Sequence, residues 1–155
     1  MSIVTFYRGD LNAPKTTQGA HLGANAIITC NDKLLLEKRR DCDMWGLVGG
    51  GVKRQETPLQ AIAREIKEEL GLRIPIEKFK KLGVYGEPGR IAAYRDGSIW
   101  RMVIVLFTLE FDSEPKMTIS AESKDLKFFA REELKDIQIV VTHSDLVEEW
   151  FGKPE

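Results

Sequence analysis

The sequence predicts an α/β protein, a mixed β-sheet with helices packed on it. β-like apolar runs bounded by turn residues recur along the chain. Between them lies one stretch, residues 57–71, with helical periodicity and both caps. The chain has 155 residues, 43% hydrophobic and 30% charged, which suits one compact core and is too short for two. We expect residues 1–155 to form a single domain.

In chain order, residues 1–20 mix polar, Pro and Gly positions and predict an arm or edge segment. "HLGANAIITC" and "KLLLEKRR" flank the dipeptide "ND", which predicts a hairpin. "DMWGLVGGGVKRQE" is Gly-rich and predicts irregular backbone. The helix follows, then a β run "KKLGVYGE" and a turn at "PGR". After a second turn, "RDGS", the run "IWRMVIVLFTLEF" is the best central strand. "DLKFFA" predicts a short strand, "REELKD" a short helix, and "SDLVEEWF" a C-terminal helix capped by Ser144 with His143 beside it. Sequential hairpins mixed with helices give a mixed sheet.

A net charge of −1 argues against charge-driven binding of nucleic acid or an anionic membrane. Cys30 and Cys42 lack metal-type spacing and make a poor disulfide framework, so reduced thiols are expected. The N-terminus shows no signal pattern, and no apolar run approaches ~20 residues. A cytoplasmic location follows as the expectation.

The helix sets the chemical problem. Thr57 is a good N-cap, Pro58 suits the first turn, Gln60 completes a capping box and Gly71 is placed to end the helix. Leu59, Ile62, Ala63, Ile66 and Leu70 form its core face, which sets Glu65, Glu68 and Glu69 together off that face. Like-charge pairs at these spacings cost ~0.2–0.5 kcal/mol each. Anions in the last turn cost a further ~0.3–1 kcal/mol against the helix dipole. Two carboxylates ~5 Å apart repel by roughly 3 kcal/mol at an effective dielectric of about 20. Arg64 alone cannot balance three carboxylates. Either solvent screens the cluster, or a hard divalent cation completes it.

Wider spacing bears on that choice. Gly50, Glu56, the run Arg64-Glu65-Ile66, the pair Glu68-Glu69 and the pair Gly71-Leu72 fall at nine fixed positions within 23 residues. This pattern resembles the Nudix box, G-x5-E-x7-R-E-U-x-E-E-x-G-U with U aliphatic. The flanks "KLLLEKRR", "MWGLVGGG" and "ESKDLKFFAREEL" are similar to the family's too, so the resemblance covers roughly residues 20–135. Val48 stands where many members have Pro, and Gln55 where Gly is frequent. The resemblance implies a Nudix fold, an α/β/α sandwich with a mixed sheet. It also implies hydrolysis of a nucleoside diphosphate linked to another group, with Mg²⁺ or Mn²⁺.

A pyrophosphate repels a water nucleophile until cations neutralise its oxygens, so an acidic cluster suits that chemistry. By similarity, Glu68 and Glu69 are metal ligands, and Glu65 is a further ligand or the base. Glu56 is expected to pair with Arg64 and fix the loop against the helix. A carbonyl at Gly49 or Gly50 is placed to reach a metal, and Glu122 is the best acid outside the box. Arg39 and Arg40 are candidates for phosphate contact. Trp45, Tyr85, Tyr94 and Trp100 are candidates for stacking on a base. Pro88 lies near where ADP-ribose hydrolases of the family carry a marker Pro, but "GEPGR" is a good turn by itself. His21 and His143 lack metal-ligand companions. The expected partner is a small nucleotide, with neither nucleic acid nor membrane, and a homodimer is open. The alternative is a non-hydrolytic nucleotide sensor on the same fold, which a complete box disfavours.

Overall fold

The computed structural model describes residues 3–152. Strands β1 (Val4–Arg8), β2 (Ala20–Cys30), β3 (Lys33–Arg39), β4 (Trp45–Gly46) and β5 (Val48–Gly51) precede helix α1 (Pro58–Leu70). Then come β6 (Lys80–Tyr85), β7 (Arg90–Tyr94), β8 (Ile99–Phe111), β9 (Ser123–Phe129) and helix α2 (Val141–Gly152). All nine strands form one mixed sheet.

Its centre is the parallel pair of β2 and β8, in register from Ala20↔Arg101 to Cys30↔Phe111. Each of these long strands changes partner along its outer edge. β8 pairs with β7 at Ile99–Arg101 and with β6 at Ile104–Thr108. β2 pairs with β5 at Gly23–Ala26 and with β3 only at Thr29 and Cys30. The sheet therefore forks between β3 and β5, and a cleft of about 630 Å³ opens there.

Side chains alternate between two buried faces. Ala24, Ala26, Ile28, Leu35, Val105 and Phe107 pack with Ala61, Ile62, Ile66 and Leu70 of α1. Ile27, Leu34, Leu36, Ile104 and Leu106 pack with Leu146 and Val147 of α2 on the opposite face. Burial on both faces explains why β8 is an apolar run rather than a polar–apolar alternation. The result is the predicted α/β/α sandwich.

Local chemistry sets several boundaries. Asn31 and Asp32 both take left-handed angles, φ 50 and 64, as the tight hairpin turn between β2 and β3 demands. The Gly-rich stretch, expected to be irregular, instead forms β4 and β5, because its backbone groups pair with β3 and β2. β7 escaped prediction as a short segment lodged between two turns. The first twenty residues contribute an edge strand, β1, paired along β7. "REELKD" is a 3-10 helix, Arg131–Asp136. The last helix starts at Val141, so Ser144 is not its N-cap: the amides of His143 and Ser144 both donate to the Val140 carbonyl. Tertiary bonds, described below, hold that extra first turn.

Candidate active site

Helix α1 is fixed at both ends. Thr57 is extended (φ −79, ψ 159), its hydroxyl accepts from the Gln60 amide at 3.1 Å, and Gln60 Oε1 accepts from the Thr57 amide at 2.9 Å. Gly71, at φ 72, donates to the Lys67 carbonyl and ends the helix. This rotation turns Glu65 and Glu69 toward the sheet, where they are 9% and 5% exposed. The expectation that all three acids share one face off the core is corrected here. Glu68 alone faces solvent, with 52% of its side chain exposed.

Glycines make the space. A Cβ on Gly50 would sit 2.6 Å from Glu65 Oε1, so only glycine lets this carboxylate lie against β5. Gly49 has φ +149, and a Cβ there would meet the Ala24 carbonyl at 2.1 Å. Its amide donates to Glu69 Oε2 at 3.3 Å. The Gly-rich run and the glutamates are thus one construction.

Arg64 ties the outer acids together. Its Nε and Nη2 grip Glu56 at 2.6 and 2.9 Å, Nη2 also reaches the Gly51 carbonyl at 2.9 Å, and Nη1 reaches Glu65 at 2.8 Å and Glu68 at 3.1 Å. Hydrogen bonds from Arg64 and from the Lys53 amide hold Glu56 down at about 2. Glu65 moves the other way, pushed up chiefly by burial, with Glu68 and Glu122 adding repulsion. Among the described residues no cation pairs with Glu69. Burial, then Glu37 and Glu65, push its pKa well above the carboxylate range.

Glu37 on β3 was not anticipated from the sequence. It is 6% exposed, lines the cleft, and accepts from the Ser123 hydroxyl at 2.8 Å. Burial pushes it up, with Ser123 and Arg39 opposing. The signal was available in strand alternation, since Leu35, Glu37 and Arg39 share one face of "KLLLEKR". Glu122, in the loop before β9, lines the same cleft and raises both Glu65 and Glu69.

The other candidates separate. Arg39 lines the cleft, but its Nε and Nη2 are held by Asp41 at 2.9 and 2.6 Å and its guanidinium lies over the Phe6 ring at 5.2 Å. Arg40 stands exposed on the rim. Trp45 and Tyr85 are corrections: neither lines the cleft. Trp45 packs edge-on against Phe129 at 4.8 Å and Tyr85 packs in the same α2-side core, where their apolar area is better buried. Tyr94 lines the cleft, as does His21, whose ring meets Trp100 edge-on. Pro88 sits in the turn between β6 and β7, away from the cleft.

Four carboxylates thus converge on the cleft from β3, α1 and the loop before β9, and three of them are pushed up. Hard oxygen donors that repel one another fit a divalent cation. Among the described residues no three His, Cys, Asp or Glu side chains are already gathered as a ligand set.

The NUDIX domain profile matches residues 19–150. The chain belongs to the NUDIX family of hydrolases. It is 29% identical over 96 residues to Nucleoside triphosphatase NudI of Enterobacter sp. (strain 638), spanning 61% of this chain and 67% of that protein. It is 44% identical over 73 residues to an ADP-ribose pyrophosphatase of Methanocaldococcus jannaschii, spanning 44% of this chain and 41% of the relative. The chain therefore spans about two thirds of one relative and under half of the other. In fold it is similar to the NUDIX domain of Shewanella oneidensis NrtR complexed with ADP ribose, with a TM-score of 0.69 at 21% identity, covering 91% and 92% of the two chains.

Proposed function

We propose that this NUDIX chain is a metal-dependent pyrophosphohydrolase. Its substrate is a nucleoside diphosphate linked to another group, either a nucleoside triphosphate or a nucleotide sugar such as ADP-ribose, and water attacks phosphorus. The observation that carries this is the buried pair Glu65 and Glu69 under β5, with Glu37 and Glu122 lining the same cleft, while the one cation bonded to the pair, Arg64, reaches Glu65 and is shared with Glu56 and Glu68. Ionised together the two carboxylates repel each other, and a cation in the cleft would relieve that repulsion. The relatives named as nucleoside triphosphatase and ADP-ribose pyrophosphatase support the substrate class.

Glu69, Glu65, Glu68 and Glu122, with a carbonyl of Gly49 or Gly50, would hold Mg²⁺ or Mn²⁺. The ion, when bound, neutralises phosphate oxygens and acidifies a water. Glu65, held by Arg64 at the cleft, either completes that ligand set or accepts a proton from the attacking water. Arg64 and Glu56 lock the loop to the helix and keep Glu65 in place. Arg40 on the rim is free to meet phosphate, while Arg39 is held by Asp41. We place the protein in the cytoplasm, a reading supported by two buried, unpaired cysteines, Cys30 and Cys42. Among the described residues no helix is long and apolar enough to cross a membrane.

The test is a phosphate-release assay, coupled to pyrophosphatase and phosphatase, over nucleoside triphosphates, ADP-ribose and other nucleotide sugars. Turnover that requires Mg²⁺ or Mn²⁺ and vanishes in Glu69→Gln is expected. Tight nucleotide binding without turnover under either ion would overturn the hydrolase reading in favour of a sensor.

A further inference from the structure

Of the four glutamates that converge on the cleft, Glu122 alone lies outside helix and strand, at the end of the 112–122 connection between β8 and β9. It is exposed, and the backbone bonds around it are long. Those from the Glu122 amide to the Ser120 hydroxyl, from the Arg40 amide to the Glu122 carbonyl and from the Ser123 amide to the Ser120 carbonyl each span 3.3 Å. One residue further on the contact is of another kind. The Ser123 hydroxyl donates to Glu37 Oε2 at 2.8 Å, with Ser123 1% and Glu37 6% exposed.

That bond exists because β9 breaks step with β3. Leu126 pairs with Glu37 and Asp125 with Lys38, but it is Ser123, not Lys124, that pairs with Arg39. Residues directly opposite in an antiparallel ladder share a face, so Leu126 lies on the Glu37 face. Strict alternation would put Lys124 on that face as well and turn Ser123 away from it. The extra residue reverses this. Lys124 stands exposed and bonds Asp43 at 2.7 Å, while Ser123 turns in to Glu37. A bulge of this kind interrupts the ladder and bends the strand, which re-aims the side chains around it. The buried bond from Ser123 to Glu37 ties the strand down at that point, and the residue it holds is joined directly to Glu122.

We infer that the Ser123–Glu37 hydrogen bond is a latch that sets Glu122 over the cleft, which makes Ser123 a positioning residue for the cation that Glu122 helps to hold. This rests on the metal-dependent reading of the cleft. Ser123 does not itself line the cleft, so it acts through its neighbours.

Binding of Mn²⁺ alone, without nucleotide, is measured by electron paramagnetic resonance, with melting curves to confirm folding. Ser123→Ala should fold and bind Mn²⁺ about tenfold more weakly, the low end of the range for losing a group that orients a ligand. Glu122→Gln should weaken binding at least as much. Ser123→Ala combined with Glu122→Gln should bind like Glu122→Gln alone, because the latch then has nothing to place. Ser123→Thr keeps the hydroxyl and should bind like wild type. Should Ser123→Ala fail to fold, Ser123→Cys, similar in size and a weak donor, takes its place with the same loss expected. A bond with a structural role alone would lower the melting temperature with or without Glu122 and leave Mn²⁺ affinity unmoved. The inference falls if Ser123→Ala binds Mn²⁺ like wild type, or if Ser123→Thr binds as weakly as Ser123→Ala. It falls too if the loss persists beside Glu122→Gln, which would make Glu37 itself a ligand. Wild type binds Mn²⁺ in each of these cases, so the metal-dependent reading survives them. Glu122→Gln that binds like wild type removes Glu122 from the ligand set and overturns the latch. Wild type that binds no Mn²⁺ sinks the metal-dependent reading and the latch together.

Discussion

Two arginines, Arg64 and Arg90, each gather carboxylates, and the difference between them separates scaffold from site. Arg90 is fully buried. It grips Asp145 through Nη1 and Nη2 at 3.0 and 2.6 Å, meets Glu87 at 2.5 Å and bonds the Thr142 carbonyl. Arg8 adds a second cation, 3.3 Å from Asp145. Two cations face two anions, and the set joins β1 and β7 to the start of α2. Arg64 instead faces Glu56, Glu65 and Glu68, with Glu69 and Glu37 behind them, and the next cation, Arg39 beside Glu37, is itself paired with Asp41. A balanced cluster is complete as folded. The unbalanced one is arranged for something yet to arrive, and stability has been given up for it.

Removing an acid from the unbalanced cluster should therefore damage function and spare the fold. Glu69→Gln is expected to lower turnover on the order of 10³-fold, as loss of a principal electrostatic group does. Its melting temperature in EDTA should not fall. A variant that unfolds, or one that turns over like wild type, breaks the contrast. The balanced cluster should respond in the opposite way. Asp145→Ala leaves the buried Arg90 with Glu87 and the Thr142 carbonyl only. A cost near the ~3 kcal/mol lower bound for breaking a buried pair is expected, or roughly 6–12 °C in Tm. Calorimetry checks this, and a shift below 2 °C would mean that the network is not a clamp.

Arg64 sits between these extremes, since it positions Glu65 without filling the metal end. Arg64→Met should lower kcat by about 10–100-fold, the usual effect of losing a group that orients a ligand. It should leave KM for the nucleotide nearly unchanged. A KM effect without a kcat effect would show that Arg64 meets substrate rather than orienting Glu65.

The sequence disclosed the half of this that is local. The capping box of Thr57 and Gln60, the left-handed Gly71 and the Arg64–Glu56 pair all lie within twenty-three residues, where spacing determines geometry. The hairpin at Asn31 and Asp32 was legible for the same reason. Long-range matters were hidden. Which way Glu65 and Glu69 turn depends on a glycine strand docking against α1, and periodicity alone assigned them to solvent. Trp45 and Tyr85 looked like base-stacking residues because sequence shows an aromatic side chain but not which face of a forked sheet it occupies. Glu37 and His143 reach the cleft by strand alternation and by a helix starting three residues early, and both depend on partners far along the chain, Ser123 and Leu47.

The smallest effect is a slope. Glu69, Glu37 and Glu65 all have folded pKa values raised above the unfolded value, burial being the main cause in each. The folded state then binds more protons than the unfolded one, so stability falls as pH rises through the raised values. Asp145 and Glu87 are lowered: burial opposes the shift at both, and the hydrogen bonds from Arg90 outweigh it. Their contribution is present at neutral pH and lost only in acid. Between pH 7.5 and 8.5 in EDTA, above the range in which His143 and His21 take up protons in the unfolded state, Tm should therefore decline, and the glutamate cluster is the part of that decline that Glu69→Gln removes. Millimolar Mg²⁺ should shrink the decline by supplying the missing charge, and Glu69→Gln should shrink it without metal. Asp145→Ala should lower the whole curve and leave its slope unchanged. A decline that persists in Glu69→Gln, or one that Asp145→Ala abolishes, would mean that the uncompensated charge lies somewhere other than beneath β5.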